Sequence, residues 1–320
     1  MIEEDIRNFN KQFSWEPTPQ GPTLCVDNFD KVVVLGMGGS HLGADLLNSY
    51  DPKLSLMVHS DYGLPERLDL GDLVIASSYS GNTEEVIDGL NFALEKGFRT
   101  AVIASGGKLL EMAKEKAIPY IELPPGLQPR ISGGYQVKAL AKILGRQDIL
   151  EELDSLAEGL QPADLEEKGK AVAEKIGNKI PVVYASRNNF ALAYTWKIRF
   201  NETAKVPAFY NLFPELNHNE MASFLQGPQG PTLRVDNFVF LVLADSEDHP
   251  KIKKRMEVFI KLYQDQGLPV RISELFGTGR LYRIFSSVLI ADWAAFYMAK
   301  QSKADPEQVS LVEEFKKLMK

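Results

Sequence analysis

The chain has 320 residues, of which 44% are hydrophobic and 25% charged, and its formal net charge is -7. This length accommodates two domains with ordinary cores, and the acidic balance argues against a nucleic-acid or anionic-membrane surface, which needs a basic stripe. The single cysteine, Cys25, excludes an internal disulfide and a thiolate metal cluster. Residues 1–5 are acidic where a signal peptide is basic, and no apolar run reaches the roughly 18 residues of a membrane span, so a cytoplasmic location is expected.

The first half of the chain alternates short apolar runs with helix-periodic stretches. Residues 1–30 form a lead-in broken by prolines, and residues 31–145 carry the alternation. Strands are predicted at residues 32–35, 54–58, 73–77, 100–104 and 118–123, with helices at residues 84–96 and 108–116. Such alternation predicts a parallel sheet covered by helices, in which ligands bind at the carboxyl ends of the strands. Residues 31–145 are therefore assigned to a first domain.

The second half repeats this organisation. Charged helical stretches within residues 146–178 are typical of a connector, and a second alternating series occupies residues 179–300. Its strands are predicted at residues 180–184, near 208, at 238–243 and at 269–272, with helices at 190–200, 251–266 and 278–300. Residues 301–320 contain a tail helix that is expected to dock by its apolar face. The predicted fold class is α/β, with two doubly wound subdomains whose parallel sheets are covered by helices, plus the C-terminal tail helix.

One segment of the chain is repeated almost letter for letter. Pro19–Phe29 recurs at Pro228–Phe238 with a single change, from Cys25 to Arg234. The offset between the copies does not match a duplication of whole domains, because the first copy leads into the opening strand of its domain and the second into a later strand. No function follows from the repeat.

A hydroxyl-rich turn joins a predicted strand to a predicted helix at Ser77–Glu85, which reads Ser-Ser-Tyr-Ser-Gly-Asn-Thr-Glu-Glu. The first turn of a helix offers unpaired backbone N–H groups and the positive end of the helix dipole, and Ser78, Ser80 and Thr83 add hydroxyl donors. This combination predicts a phosphate cradle. The alternative is an ordinary helix start, with an N-cap followed by a capping box, which uses the same residue types.

A glycine-rich loop follows the first predicted strand and supplies a second candidate wall of the pocket. Gly36, Gly38 and Gly39 begin like a dinucleotide-binding fingerprint, but the position of its third glycine is His41. A Rossmann site is therefore disfavoured. Gly38, Gly39 and Ser40 instead offer backbone N–H groups and one hydroxyl, which suit a sugar or phosphate pocket.

Together the two loops resemble the phosphosugar-binding sugar isomerase (SIS) domain. Further matching motifs are Trp196-Lys197, Asn201-Glu202, Asn211, Pro214-Glu215-Leu216-Asn217-His218-Asn219-Glu220 and a tail with Phe315-Lys316. Over roughly residues 30–320 the chain resembles the bifunctional phosphoglucose/phosphomannose isomerases, and both subdomains are then of SIS type. The resemblance implies interconversion of glucose 6-phosphate and fructose 6-phosphate, and also of mannose 6-phosphate, through ring opening and a cis-enediol. It also implies a homodimer without cofactor, and the four scattered histidines lack the spacing of a zinc site.

The resemblance assigns the chemistry to four residues. Glu202 is expected to be the base that moves the proton between the two reacting carbons, and Arg130 to stabilise the enediolate. His218 is expected to assist ring opening, reaching across the dimer interface, and Lys316 to act at the ring oxygen. Adjacent Lys317 competes for that last role. Each residue also has a simpler interpretation. Glu202 is then a solvated glutamate at a helix end, and Arg130 forms a salt bridge at the rim. His218 is then a core histidine, and Lys316 belongs to a solvated lysine pair.

Three other functions compete with the isomerase. A non-catalytic phosphosugar-binding SIS regulator would keep the hydroxyl loops but would have no use for Glu202, His218 and Arg130 together. A dehydrogenase needs the dinucleotide fingerprint, and an amino-sugar phosphate isomerase needs a source of ammonia. In related isomerases a threonine in the tail region accompanies mannose 6-phosphate activity, and residues 303–320 contain no threonine.

Overall fold

The computed structural model of the chain describes residues 1–24, 29–224 and 235–319. The chain divides into an N-terminal unit, residues 7–161, and a C-terminal unit, residues 1–6 with 162–320. The segment predicted as a connector, residues 146–178, contributes one helix to each unit. Of the repeated segments, residues 25–28, with Cys25, and residues 228–234 lie outside the described residues.

The helices and strands alternate along the chain as expected. The helices are α1 Ile2–Arg7, α2 Leu42–Tyr50, α3 Glu84–Lys96, α4 Gly107–Glu115, α5 Gly133–Ile143, α6 Gln147–Gly159, α7 Glu166–Ile176, α8 Phe190–Glu202, α9 Pro250–Asp265, α10 Arg280–Ser302 and α11 Ser310–Leu318. The strands are β1 Pro19–Gln20, β2 Val32–Leu35, β3 Met57–His59, β4 Leu73–Ser77, β5 Arg99–Ala104, β6 Tyr120–Glu122, β7 Ile180–Ser186, β8 Phe209–Phe213, β9 Phe238–Asp245 and β10 Val270–Leu275. The predicted α/β fold class is confirmed.

The N-terminal unit is built on a sheet with the strand order β1-β6-β5-β4-β2-β3. All neighbouring strands are parallel except β1, which pairs antiparallel with β6. Strands β2 and β4 are buried along their whole length, which explains why they read as continuous apolar runs. One face of the sheet packs on α3 and α4 through a core that includes Val33, Leu35, Val74, Val102, Val86, Leu90 and Leu109.

The C-terminal unit is built on a parallel sheet with the strand order β10-β9-β7-β8. An aromatic core joins β7 and β9 to α9 and includes Tyr184, Phe213, Phe240, Phe259 and Tyr263. Helices α8 and α10 are joined by polar contacts: the indole of Trp196 donates to the hydroxyl of Ser287 at 3.0 Å, and Arg199 forms a buried ion pair with Asp292. Because losing one partner of a buried pair is costly, this contact fixes α8 against α10.

The tail helix forms as predicted, but it does not dock as expected. Leu311, Phe315 and Leu318 are 79%, 61% and 82% exposed. The expectation that the apolar face of α11 packs on the rest of the chain is therefore wrong for the single protein chain. An amphipathic pattern indicates that a face is suited to burial, but it does not identify the surface that covers it.

Of the helices in the described ranges, none combines the length and the apolar character needed to cross a lipid bilayer.

The carboxyl edge of the C-terminal sheet is filled by a buried ion cluster. Asp245, the last residue of β9, accepts hydrogen bonds from Arg280 at 2.5 Å and from the Asn189 amide at 3.2 Å. The same amide donates to Asp248 at 3.4 Å. Burial raises the pKa of the Asp248 carboxyl above its ordinary value. A hydrogen bond from Ser186 lowers this pKa, and the charge of Asp245 raises it further.

The raised pKa of Asp248 predicts a pH-dependent effect on stability. A carboxyl group whose pKa is raised by folding binds its proton more tightly in the folded state, so stability falls as the pH rises from about 4 through the folded-state pKa. Asp248→Asn removes the buried charge, and its melting temperature should exceed that of the wild type at neutral pH. The difference should shrink towards about pH 4.

Thermal unfolding across this pH range checks the prediction, with Asp265→Asn as the control because the side chain of Asp265 is 57% exposed in its pair with Lys261. A lower melting temperature for Asp248→Asn than for the wild type at neutral pH would contradict it.

Candidate active site

The two hydroxyl-bearing loops lie next to each other at one edge of the N-terminal sheet. The loops follow β2 and β4, which are neighbouring parallel strands. From β2 the chain continues to β3 on one side, whereas β4, β5 and β6 extend the sheet on the other. The loops therefore flank the topological switch point, which is where open α/β sheets bind their ligands.

In the second loop, the hydroxyl group of the N-cap residue does not cap the helix that follows. Thr83 is the N-cap residue of α3, yet its side chain makes no capping hydrogen bond. The hydroxyl of Thr83 instead lies 2.7 Å from that of Ser78. The capping box that competed with the phosphate cradle does not form, so the first turn of α3 keeps backbone donors that a phosphate can use.

Backbone geometry at Gly81 brings this loop close to the neighbouring strand end. Gly81 has φ +69°, and a Cβ atom there would lie 1.8 Å from the carbonyl oxygen of Gly106. Glycine is required by both the conformation and the contact. Ser80 is exposed, and its hydroxyl accepts a hydrogen bond from the backbone of Asn82 at 3.3 Å. Ser80 thus presents its side chain at the open side of the loop.

The first loop is a 3-10 turn, Gly38–Ser40, that is hydrogen-bonded to the second. The hydroxyl of Ser40 accepts from the backbone N–H of Tyr79 at 3.0 Å, and the hydroxyl of Ser77 donates to the carbonyl of Ser40 at 2.8 Å. Ser40 itself is 6% exposed. Its hydroxyl therefore holds the two loops together, and the turn presents Gly38 and its backbone beside them.

Arg130 lies in a 3-10 turn that packs directly against the first loop. A Cβ atom on Gly39 would lie 2.8 Å from the backbone nitrogen of Arg130, so glycine allows the two turns to touch. The Arg130 side chain is buried and donates to Gln128 at 3.4 Å, among other contacts. The structure thus packs the backbone of Arg130 against the first loop and buries its side chain.

The lead-in segment braces this turn, which the sequence did not reveal. The amide nitrogen of Gln12 donates to the carbonyl of Ile131 at 2.8 Å, and its oxygen accepts from the backbone N–H groups of Gly134 and Tyr135 at 3.0 and 3.2 Å. Gln12 is 2% exposed. A glutamine next to apolar residues carries no local signal of such a contact, because its partners lie far along the chain.

In the C-terminal unit, Glu202 is the last residue of α8 and is half-buried. Helix α8 follows the carboxyl end of β7 and returns to the start of β8, which is parallel to β7. The 13 residues of α8 span about 20 Å at 1.5 Å per residue. Glu202 therefore lies at the amino edge of this sheet.

His218 lies at the opposite edge, in the 3-10 turn Glu215–His218 that follows the carboxyl end of β8. Asn217 of this turn accepts a weak contact from Arg255 at 3.4 Å, in the helix that follows the carboxyl end of β9. His218 is exposed. Within one chain the sheet thus separates His218 from Glu202.

The segment that carries His218 is fixed by Glu220. The carboxylate of Glu220 accepts a hydrogen bond from the phenol of Tyr184 and another from the Asn211 amide at 2.5 Å. Burial and then the charge of Glu220 raise the pKa of Tyr184, which keeps the phenol protonated as a donor. The predicted motif therefore includes Glu220, the residue that holds this segment in place. In this arrangement His218 is exposed to solvent.

Lys316 lies on α11 and is exposed, as is Lys317.

The structure brings Gly38, Gly39, Ser40, Ser78, Thr83 and Arg130 together in the N-terminal unit, with Ser80 at their open side. The equivalent switch point of the C-terminal sheet, between β7 and β9, is filled by the Asp245 cluster. The second switch point is thus occupied by an internal carboxylate, whereas the first lies beside the start of α3.

Comparison with known proteins gives a matching family model and similar solved structures. The bacterial phospho-glucose isomerase C-terminal SIS domain matches residues 165–319. Among solved structures, a hypothetical protein from Thermus thermophilus superposes with a TM-score of 0.74, covering 99% of this chain and 88% of that one at 18% sequence identity. That likeness supports the fold.

Several relatives match most of the chain. A bifunctional phosphoglucose/phosphomannose isomerase of Thermoplasma volcanium is 37% identical over 91% of this chain and 92% of its own length. A protein of the same name from Aquifex aeolicus is 33% identical over 98% of this chain and 97% of its own. The resemblance read from the motifs is thereby confirmed, and the chain belongs to the bifunctional phosphoglucose/phosphomannose isomerase family.

Proposed function

We propose that this protein is an isomerase that interconverts glucose 6-phosphate and fructose 6-phosphate, and also mannose 6-phosphate. The observation that carries the proposal is the cradle: Ser78 and Thr83 pair their hydroxyls at the start of α3 and leave the helix N-terminus to an anion. Membership of the isomerase family supplies the reaction class. The relatives named for both activities favour including mannose 6-phosphate, although the tail contains no threonine.

The reaction sets the roles of the remaining residues. Moving a proton between C1 and C2 through a cis-enediol needs a base, and Glu202 is assigned that role. The enediolate builds negative charge on oxygen, which the Arg130 guanidinium stabilises. Opening the pyranose ring needs a proton at the ring oxygen, and His218 and Lys316 are assigned to this step. The phosphate is held by the cradle, so binding energy far from the reacting carbons positions them.

A homodimer completes this assignment. Glu202 and His218 lie at opposite edges of one sheet, so a single chain does not bring them to the same reacting carbons. The exposed His218 is instead assigned to the active site of a second copy, in keeping with a closed two-fold dimer. The exposed apolar face of α11 provides further surface for such an assembly.

A coupled assay tests the function directly. Glucose 6-phosphate formed from fructose 6-phosphate is followed through a dehydrogenase reaction, and mannose 6-phosphate is then supplied as the substrate. Turnover of both sugars is expected. Absence of turnover at micromolar enzyme, together with phosphosugar binding, would instead favour the non-catalytic SIS regulator.

Removing the proposed base should abolish turnover without removing the substrate. Glu202→Gln keeps the shape of the side chain but cannot accept the proton, so kcat should fall by about 10²–10⁴-fold. Calorimetric titration with fructose 6-phosphate should show nearly unchanged affinity, because the phosphate contacts remain. Glu257→Gln, an exposed glutamate on α9, is the matched control. Retained activity in Glu202→Gln would remove Glu202 from its role.

Removing a cradle hydroxyl should affect binding more than chemistry. Ser78→Ala deletes one donor to a charged phosphate, and such a contact contributes about 1.5–3 kcal/mol, so KM should rise at least about tenfold. The value of kcat should change much less, since this contact is made in both ground and transition states. Steady-state kinetics check the split, with the exposed Ser155→Ala as control. An unchanged KM would place the phosphate elsewhere.

A further inference from the structure

Lys205 connects the end of the helix that carries Glu202 to the chain segment that carries Lys316. Its ammonium group donates to the backbone carbonyl of Glu202 and to the backbone carbonyl of Gln308. The two acceptors are separated by about a hundred residues in sequence, as the separations of 3 and 103 residues from Lys205 show. No motif in the sequence assigns a role to Lys205.

The contact at Glu202 suits the end of a helix. The last carbonyl groups of α8 lack partners within the helix, and a cation near the negative end of the helix dipole is favourable. Lys205 reaches this carbonyl from a left-handed backbone conformation, with φ +59°. Residues with a side chain rarely adopt this conformation, so the surrounding contacts hold Lys205 in place.

The contact at Gln308 lies in a compact segment just before the tail helix. The Asp305 carboxylate accepts from the backbone N–H groups of Glu307 and Gln308 at 2.8 and 3.4 Å. The Glu307 side chain accepts from the backbone N–H of Ile2 at 2.7 Å. Hydrogen bonds thus hold residues 305–308, and Lys205 links this segment to the end of α8.

The tail helix depends on these hydrogen bonds because its own apolar side chains do not bury. Leu311, Phe315 and Leu318 are all more than half exposed. Helix α11 begins two residues after Gln308, and Lys316 follows about 9 Å further along it at 1.5 Å per residue. The position of Lys316 relative to Glu202 is therefore set through the segment that Lys205 holds.

We propose that Lys205 is a positioning residue of the active site, which fixes the tail helix and its Lys316 relative to Glu202. This inference rests on the proposed isomerase function. Lys205 does not touch the reacting carbons; it acts through the two carbonyl groups that it joins. Small displacements of a catalytic group reduce turnover strongly, since reactivity depends on close alignment.

The test removes the ammonium group while keeping the side-chain stem. Lys205→Met should lower kcat about tenfold with little change in KM. Lys205→Arg, whose guanidinium can also reach two carbonyl groups, should recover much of that loss. Lys261→Met, an exposed lysine paired with Asp265 on α9, is the matched control and should behave as the wild type.

Two measurements separate positioning from a simple stabilising role. In a Lys316→Ala background, Lys205→Met should cause no further loss of kcat, because the residue through which it acts is gone. Hydrogen–deuterium exchange across residues 305–318 should rise in Lys205→Met and not in Lys261→Met. Melting temperatures of all variants identify any that fail to fold. If Lys205→Met does not fold, Lys205→Arg is compared with the wild type instead.

The outcomes distinguish this inference from the proposed function. An active wild type with unchanged kcat or unchanged tail exchange in Lys205→Met overturns the role of Lys205 alone. Losses that add fully in the double variant overturn it as well. A wild type without isomerase activity overturns the function and, with it, the inference.

Discussion

Strand direction is the constraint on which the proposed active site depends. In a parallel sheet every helix returns the chain from the carboxyl edge to the amino edge, so residues at the end of a helix and residues after the next strand lie on opposite sides. Glu202 ends α8, and His218 follows β8. One sheet cannot bring both to one substrate. In the proposed homodimer a second copy of the chain supplies His218, and the exposed surfaces of His218 and α11 are available for such a contact.

The two sheets treat their equivalent switch points in opposite ways. At the first, Gly39 and Gly81 let the loops pack closely, and the hydroxyl groups of Ser78 and Thr83 pair at the start of α3. At the second, Asp245 supplies an internal carboxylate that Arg280 and Asn189 bind. The same topology therefore carries the proposed phosphate site in one unit and a buried ion cluster in the other. Burial raises the pKa of Asp248 in that cluster, so the ionised form of this carboxyl group is disfavoured by folding.

Much of the fold could be predicted from local patterns. Continuous apolar runs gave β2 and β4, and the helix predicted at residues 84–96 is α3 as observed. The hydroxyl-rich turn was ambiguous in sequence, because a capping box and a phosphate cradle use the same residue types. In the structure the hydroxyl of Thr83 contacts that of Ser78 and does not cap α3, and the phosphate cradle stays a prediction.

The contacts that could not be predicted join distant parts of the chain. Gln12 supports the turn that holds Arg130, and Lys205 joins α8 to residues before the tail helix. Neither side chain lies in a motif. The contacts of both depend on the fold, because their partners are distant in sequence. The tail helix shows a different limit of prediction. Its apolar face could be predicted from the sequence, but the surface that would cover this face could not.

The claim that each active site takes Glu202 from one chain and His218 from another is tested most directly by mixing two inactive variants. Glu202→Gln and His218→Ala are unfolded together and refolded as a mixture. If sites are shared, half of the dimers are mixed and each carries one intact site, so activity should return to about a quarter of the wild-type value. Each variant refolded alone should stay inactive. A mixture as inactive as its components would contradict the shared site and return both residues to a single chain.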